Sequence, residues 1–205
     1  MTQNTDTPQE TLDIEALKND AEFQDNVRLL EKEMQEQNSI AKGYQLLDIK
    51  LAMEEDEEKI NEIFTFIVNR AFDVLSEYLT EHKKFNLADP EEYATTRAIY
   101  EHGIQRYSEK DMKGAKEIFL VLHYQIEDPE IHEAMIIHAA AVMEGIGFET
   151  FIDEFADVTH LDPEDPKSIF ITEFVQPNDM IMAMWGHHMA AGKKELEVLD
   201  QDSKK

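Results

Sequence analysis

Apolar residues recur with helical spacing along most of this chain. The clearest stripe contains Arg97, Tyr100, Ile104 and Tyr107, whose positions i, i+3, i+7 and i+10 share one helical face. A polar stretch at 108–113 follows, and a second apolar stripe then contains Ala115, Phe119 and Leu122. The pattern predicts two helices joined by a short turn, which is one helix-turn-helix repeat.

The chain after Pro90 shows weak internal recurrence. Phe119 and Phe155 are 36 residues apart, and so are Gly103 and Ala139. Because a helix pair cannot bury its apolar face alone, such units stack into arrays. We predict about three degenerate tetratricopeptide-like pairs, the third beginning at Asp165-Pro166 and cut short by Pro177. The first helix of each pair would line a concave surface.

The residues before these repeats are predicted to form a helical arm or cap. A charged helix is expected over 12–37, a break at Asn38-Ser39, a shorter amphipathic helix over 40–53 and a strong helix to about His82. Asp89-Pro90 supplies an N-cap and a first residue for the next helix. The helix over 12–37 would lie on the body or against a second copy in a homodimer, or would order only with a partner.

These patterns predict an all-α protein with four regions. Residues 1–11 are expected to be disordered, 12–89 to form the arm or cap, 90–192 the repeat domain and 193–205 a charged, frayed tail. The low glycine and proline counts, 7 and 6, agree with a helical chain. The β-branched run at 168–172 has no partner strand, so no strand is predicted.

Charge and composition narrow the function classes. Asp and Glu number 45 against 19 Lys and Arg, which gives a net charge of -26. This charge opposes binding to nucleic acid and to anionic membranes. No run of 18 apolar residues exists, the polar N-terminus is not a signal peptide and cysteine is absent, so a cytoplasmic protein without stable membrane insertion is expected. An acidic mimic of nucleic acid, or an adaptor for a basic partner, is an alternative.

The sequence predicts no catalytic residue, no metal ligand set and no cofactor. His132 and His138 are six residues apart, which separates them by roughly 120° around a helix, and adjacent His187 and His188 by about 100°. No phosphate-binding glycine loop, GxSxG or HExxH sequence occurs. We therefore expect a binding protein rather than an enzyme.

Part of the chain resembles a known family. The segment from Tyr100 to Tyr107 (YEHGIQRY), Ala115-x3-Phe119-x2-Leu122 and Asp128-Pro129 are similar to the first repeat of the class II, translocator-binding chaperones of bacterial type III secretion. The resemblance covers about residues 93–180. It implies a cytoplasmic chaperone that holds an extended segment of a hydrophobic client in a concave groove before secretion.

The expected client-binding residues come from this resemblance and from the repeat spacing. They are Arg97, Tyr100, Ile104 and Tyr107 in the first unit, Ile136, Ala140 and Met143 in the second, and Phe170 and Phe174 in the third. Tyrosine offers a wide apolar ring and a hydroxyl for a peptide backbone. The alternatives are that the tyrosines pack in the core, and that the chain is a general repeat scaffold or adaptor in a multiprotein assembly.

Overall fold

The computed structural model describes residues 14–159, 161–162 and 165–202, and within them the protein is all-α. The described residues contain no β-strand, only isolated bridges between Phe85 and Ile126 and between Ala156 and Phe174. No helix among them combines the length and apolarity needed to cross a membrane. The expected disorder of residues 1–11 concerns positions outside the described part.

The chain divides into two compact units, Met1–Phe64 and Thr65–Lys205. The described part of the first unit contains α1 (Ile14–Asn19), α2 (Ala21–Gln37), α3 (Ile40–Ala52) and the beginning of α4 (Glu57–Glu81). The division therefore falls inside α4 rather than at the boundary near residue 90 where the repeats were expected to begin.

Capping residues set the helix boundaries of the first unit. A single helix was predicted over 12–37, but the carboxylate of Asp20 accepts the N–H groups of Glu22 and Phe23, which ends α1 and begins α2. The break predicted at Asn38-Ser39 is confirmed. Asn38 is left-handed with φ of 51°, and the Ser39 hydroxyl caps α3.

The described part of the second unit contains the rest of α4 and six further helices. These are α5 (Pro90–Ser108), α6 (Met112–Gln125), α7 (Pro129–Glu144), α8 (Phe148–Thr150), α9 (Asn178–Met184) and α10 (Gly186–Asp202). A π-helical turn, Phe151–Phe155, continues α8, and a 3-10 turn, Pro166–Ile169, precedes α9. Asp89 caps α5 with Pro90 at its first turn, as predicted, and Asp128-Pro129 begins α7 in the same way.

The predicted helix pair α5–α6 packs closely. A Cβ added to Gly103 on α5 would lie 2.8 Å from Cγ2 of Ile118 on α6 and 3.1 Å from the Phe119 ring. Only hydrogen fits at that position, so the glycine permits this helix spacing. Gly114 likewise faces the Arg106 and Asp111 side chains, which form an ion pair of 2.5 Å.

The third helix pair does not form as predicted. Residues 166–169 make one 3-10 turn, and residues 170–177 contain no helix. Proline at 166 and 177 and the β-branched residues between them disfavour a helix here. The charged residues after Gly192 are also not a frayed tail, because α10 continues to Asp202 and Lys116 on α6 pairs with Glu195 at 2.6 Å.

Candidate functional site

Tyr100 is an interior residue of the second unit. Its side chain is 2% exposed, and its hydroxyl oxygen accepts a hydrogen bond from the backbone N–H of Ile171 at 3.1 Å. The same hydroxyl lies 3.3 Å from Nε2 of His138 on α7. His138 uses Nδ1 to donate to the Ala134 carbonyl at 2.7 Å, so its Nε2 is left to accept the Tyr100 proton.

This hydrogen-bonded chain is uncharged. Burial raises the pKa of the Tyr100 phenol above its ordinary value and lowers the pKa of His138 to about 4. Both groups are therefore neutral near pH 7. A neutral imidazole can accept from the phenol while the phenol oxygen accepts from the Ile171 backbone, which satisfies every partner in the chain.

Tyr107 is also buried, at the other end of the same stripe. It is 0% exposed, and its hydroxyl donates to the Ile146 carbonyl at 2.8 Å. Its ring contacts Phe119, Phe148 and Phe151, with centroid separations of 6.2, 5.5 and 5.8 Å. Burial raises the pKa of this phenol as well. In this conformation both stripe tyrosines pack in the interior rather than on an open groove.

The other residues of the predicted stripe are partly buried. Arg97 donates through Nε to a carboxylate oxygen of Glu101 at 2.8 Å, which partners the guanidinium along the helix. Ile104 is half-buried. Along α5 the stripe therefore alternates between half-buried residues and fully buried tyrosines.

The residues predicted in the second and third repeats do not all lie near Tyr100, because Ile136 faces α10, where its Cδ1 atom lies 3.5 Å from a Cβ built at Gly192. Ile136, Ala140 and Phe170 are buried, whereas Met143 and Phe174 are half-buried. The Phe170 ring is 5.2 Å from the Tyr100 ring, and the Phe174 ring is 6.0 Å from His138. The structure thus brings Tyr100, Phe170 and Phe174 together, although Phe170 and Phe174 do not come from a helix.

Residues 166–175, here called the covering segment, lie across α5 and α7. The Tyr93 hydroxyl donates to the Pro166 carbonyl at 2.6 Å, while Tyr100 accepts from Ile171. On α7, Glu130 accepts from the Thr172 hydroxyl at 3.0 Å. Beyond these contacts, Lys167 pairs with the α7 N-cap, Asp128, at 2.6 Å. The segment is held by both the backbone and the side chains.

The far end of the covering segment pairs with the stretch after α8. The Asp157 N–H donates to the Glu173 carbonyl, and the Val175 N–H donates to the Phe155 carbonyl, both at 2.9 Å. Ala156 and Phe174 form an antiparallel bridge at the same place. This β-type pairing keeps the segment extended where Phe174 enters the cluster around Phe151.

Two residues of this site were missed by the sequence interpretation. His138 was considered only as a metal ligand, yet it joins Tyr100 to α7. Its neighbours along α7 form the apolar run Met-Ile-Ile-His-Ala-Ala-Ala-Val, a pattern that signals burial on all sides. Tyr93 was overlooked because it precedes the stripe, and no local pattern marks its bond to Pro166.

The histidines form two further groupings. His123 and His132 have ring centroids 3.8 Å apart, and His187 and His188 have theirs 3.9 Å apart. Nε2 of His188 lies 2.7 Å from a carboxylate oxygen of Glu144. One ligand atom from each of Glu144, His187 and His188 falls within 4.8 Å of the others, which is the spacing a metal-binding group needs. The sequence analysis had placed the side chains of His187 and His188 about 100° apart around a helix.

Comparison with known proteins gives no match, since no family model, no curated protein and no solved structure is similar to this chain. The site is therefore interpreted from its own geometry. Its main feature is an α5–α7 face that carries an extended piece of the same chain.

Proposed function

We propose that this protein is an escort that binds an extended, apolar segment of a client protein on the α5–α7 face. The client segment would displace the protein's own covering segment from that face. The resemblance to the class II chaperones of type III secretion suggests the client class. It is a hydrophobic, translocator-like protein that must be kept soluble in the cytoplasm until secretion.

The way the covering segment is held carries this proposal. α5 and α7 correspond to the first helices of the first two predicted helix-pair repeats. Repeat proteins of this kind bind peptides on these helices. Tyr93 and Tyr100 bond to the segment's backbone, which any extended peptide could supply. The aromatic rings that contact Phe170 and Phe174 would bind side chains of the client in their place, which would give selectivity for apolar residues.

Exposed apolar residues at the end of the covering segment and on α9, which follows it, also support the proposal. Val175, Met180 and Met184 are 55%, 53% and 53% exposed. Met180 and Met184 are four residues apart on α9, so they share one helical side. Methionine side chains adapt to different client sequences at little cost.

Site-specific photo-crosslinking in native lysate tests the proposal. A benzophenone amino acid at Tyr93, beside the covering segment, should crosslink a client, whereas the same group at Lys113 should not. Lys113 is a suitable control because its side chain on α6 is 84% exposed and distant in sequence from the covering segment. The crosslinked protein is identified by mass.

Recovery at Tyr93 of a secreted protein with transmembrane stretches would support the escort function. Recovery of soluble assembly subunits alone would contradict it and would favour a scaffold. Replacing both Phe170 and Phe174 with alanine should increase the Tyr93 crosslink by releasing the covering segment. A decrease with the fold intact would show that the segment is part of the client site and not its competitor.

A further inference from the structure

Three side chains that can coordinate a metal ion converge where the end of α7 meets the beginning of α10. They are Glu144, the last residue of α7, and His187 and His188, in the first turn of α10. Nε2 of His188 lies 2.7 Å from a carboxylate oxygen of Glu144, and the two histidine rings have centroids 3.9 Å apart. These three residues, here called the α7–α10 cluster, each place one ligand atom within 4.8 Å of the other two.

Two adjacent histidines can converge here because they lie at the beginning of a helix. Helical side chains lean towards the N-terminus, so those of the first turn project past the end of the helix, where no earlier turn separates them. The preceding residue is Gly186, and a Cβ built on it would meet no atom within 4 Å. The space beside that glycine is therefore open, and nothing in it keeps the imidazoles apart.

Close packing further along α10 fixes the two helices that supply the ligands. A Cβ added to Gly192 would lie 2.7 Å from Cδ2 of Leu120 on α6 and 3.5 Å from Cδ1 of Ile136 on α7. Gly192 is four residues after His188, so the two lie on the same side of α10. The backbone positions of Glu144 and His188 are thus set by interior packing, and an ion would need only side-chain adjustments to collect its ligands.

The carboxylate of Glu144 is available to a cation. Among the described residues it forms no ion pair with a lysine or an arginine, and its one side-chain partner is the imidazole of His188. Glu144 also ends a helix of 16 residues, and the C-terminal end of a helix carries partial negative charge. The net charge of -26 attracts cations to the protein as a whole.

The donor atoms indicate which metals would bind. Imidazole nitrogen suits zinc, copper, nickel and iron, whereas Mg²⁺ and Ca²⁺ prefer ligand sets made of oxygen. Two histidines and one glutamate are the protein ligands of several zinc sites, in which water takes the remaining position. Ligand atoms around tetrahedral zinc are about 3.3 Å apart, so His188 and Glu144 would separate slightly while His187 approaches them.

We propose that the α7–α10 cluster binds one divalent transition-metal ion, with zinc as the representative, and that the ion links the end of α7 to the beginning of α10. Glu144 and His187 are exposed and His188 is half-buried, so an ion can enter without unfolding. No metal ligand set was predicted from the sequence, because the third ligand comes from a separate helix, 44 residues before His188. The metal site is independent of the client-binding function, since none of its ligands belongs to the covering segment or holds it.

Calorimetric titration of the full chain with zinc chloride, without a polyhistidine tag, tests the proposal. Glu144→Gln, His187→Gln and His188→Gln each remove one ligand, and glutamine at 188 can still bond to Glu144. His82→Gln is the matched control, because it makes the same change at an exposed histidine outside the cluster. Circular dichroism checks that every variant is folded.

The unmodified protein should bind one zinc ion per chain with a Kd of about 10 μM or lower. Each ligand variant should weaken this binding by about tenfold or more, whereas His82→Gln should leave it unchanged. An excess of Mg²⁺ should not displace the zinc. Equal affinities in the ligand variants and the control, displacement by Mg²⁺, or no binding in this range would overturn the proposal, because zinc would then be held only by scattered surface groups.

Cobalt gives a spectroscopic readout of the same site. Co²⁺ bound at a tetrahedral site absorbs visible light far more strongly than hydrated, octahedral Co²⁺ does. The strong absorption should appear with the unmodified protein and with His82→Gln, should be lost in His187→Gln, and should disappear when zinc is added. The weak spectrum of hydrated Co²⁺ in all three proteins would contradict the proposed site.

Discussion

The hydroxyl of Tyr100 on α5 accepts the backbone N–H of Ile171, a residue 71 positions further along the chain. This bond is one of several that hold the covering segment, and the same hydroxyl donates towards His138 on α7. The Tyr100 oxygen therefore joins the covering segment to both α5 and α7 at one point.

Replacing Tyr100 with phenylalanine should destabilise the second unit. The change leaves the Ile171 N–H and His138 Nε2 without their partner in a buried place, at a cost of about 1–3 kcal/mol. Trp185, the only tryptophan, is 4% exposed in this unit and reports its unfolding by fluorescence in urea.

Limited proteolysis separates this effect from general destabilisation. Tyr100→Phe should speed cleavage within residues 166–175 more than Tyr107→Phe does, because Tyr107 bonds to Ile146 and not to the segment. Equal cleavage rates in the two variants would contradict a specific role for Tyr100.

The two phenylalanines of the covering segment should differ in their contribution. Phe170 is 1% exposed, so Phe170→Ala should reduce the free energy of unfolding by about 3–5 kcal/mol. Phe174 is only half-buried and should cost less. Urea denaturation followed by Trp185 fluorescence measures both. A larger loss for Phe174→Ala would mean that the segment is anchored mainly at its pairing with Ala156.

Gly103 should not tolerate a methyl group. Alanine is normally favoured over glycine inside a helix by about 1 kcal/mol, but here the added Cβ would meet Ile118 and Phe119. Overpacking of this kind costs about 1–3 kcal/mol, so Gly103→Ala should lower the urea midpoint.

Gly147 is the matched control for that substitution. It has no atom within 4 Å of an added Cβ, and its φ of -74° suits alanine. Gly147→Ala should leave the midpoint nearly unchanged. A stabilising effect of Gly103→Ala would show that α5 and α6 can move apart without cost.

Acid should weaken the second unit before its carboxylates are fully protonated. His138 and His123 have pKa values lowered to about 4 from the ordinary 6.5, so the unfolded chain binds more protons than the folded one between these values. Their stabilising contribution is complete above pH 6.5 and is lost as the pH falls towards 4. Each histidine adds up to about 1.4 kcal/mol per pH unit to this slope.

His138→Gln tests this dependence, because glutamine can still bond to Tyr100 but does not titrate. The free energy of unfolding should depend less steeply on pH between 5 and 6.5 in this variant than in the unmodified protein. Identical slopes would mean that His138 already binds a proton in the folded state.

The local features of the fold could be predicted from the sequence. The periodic stripes and the Asp89-Pro90 cap gave α5, because capping and helical spacing are local properties. The stripe also showed that Tyr100 and Tyr107 share a face. It could not show what covers that face, because a contact between residues 71 positions apart produces no local sequence pattern around either residue.

The spacing of Phe170 and Phe174 explains why a helix was expected there. Residues four apart share a face in a helix, but they also share a face in an extended chain, where side chains alternate with a period of two. An extended backbone is favoured here by the prolines at 166 and 177 and by the β-branched residues between them.

The position of the covering segment in the chain also has a consequence during synthesis. α5, α6 and α7 are complete once Glu144 has been synthesised, but the residues that cover them begin only at Pro166. At about 5–20 residues per second, the tyrosine-bearing face stays uncovered for roughly a few seconds on every ribosome. During that interval a client segment would meet no competitor from the chain itself.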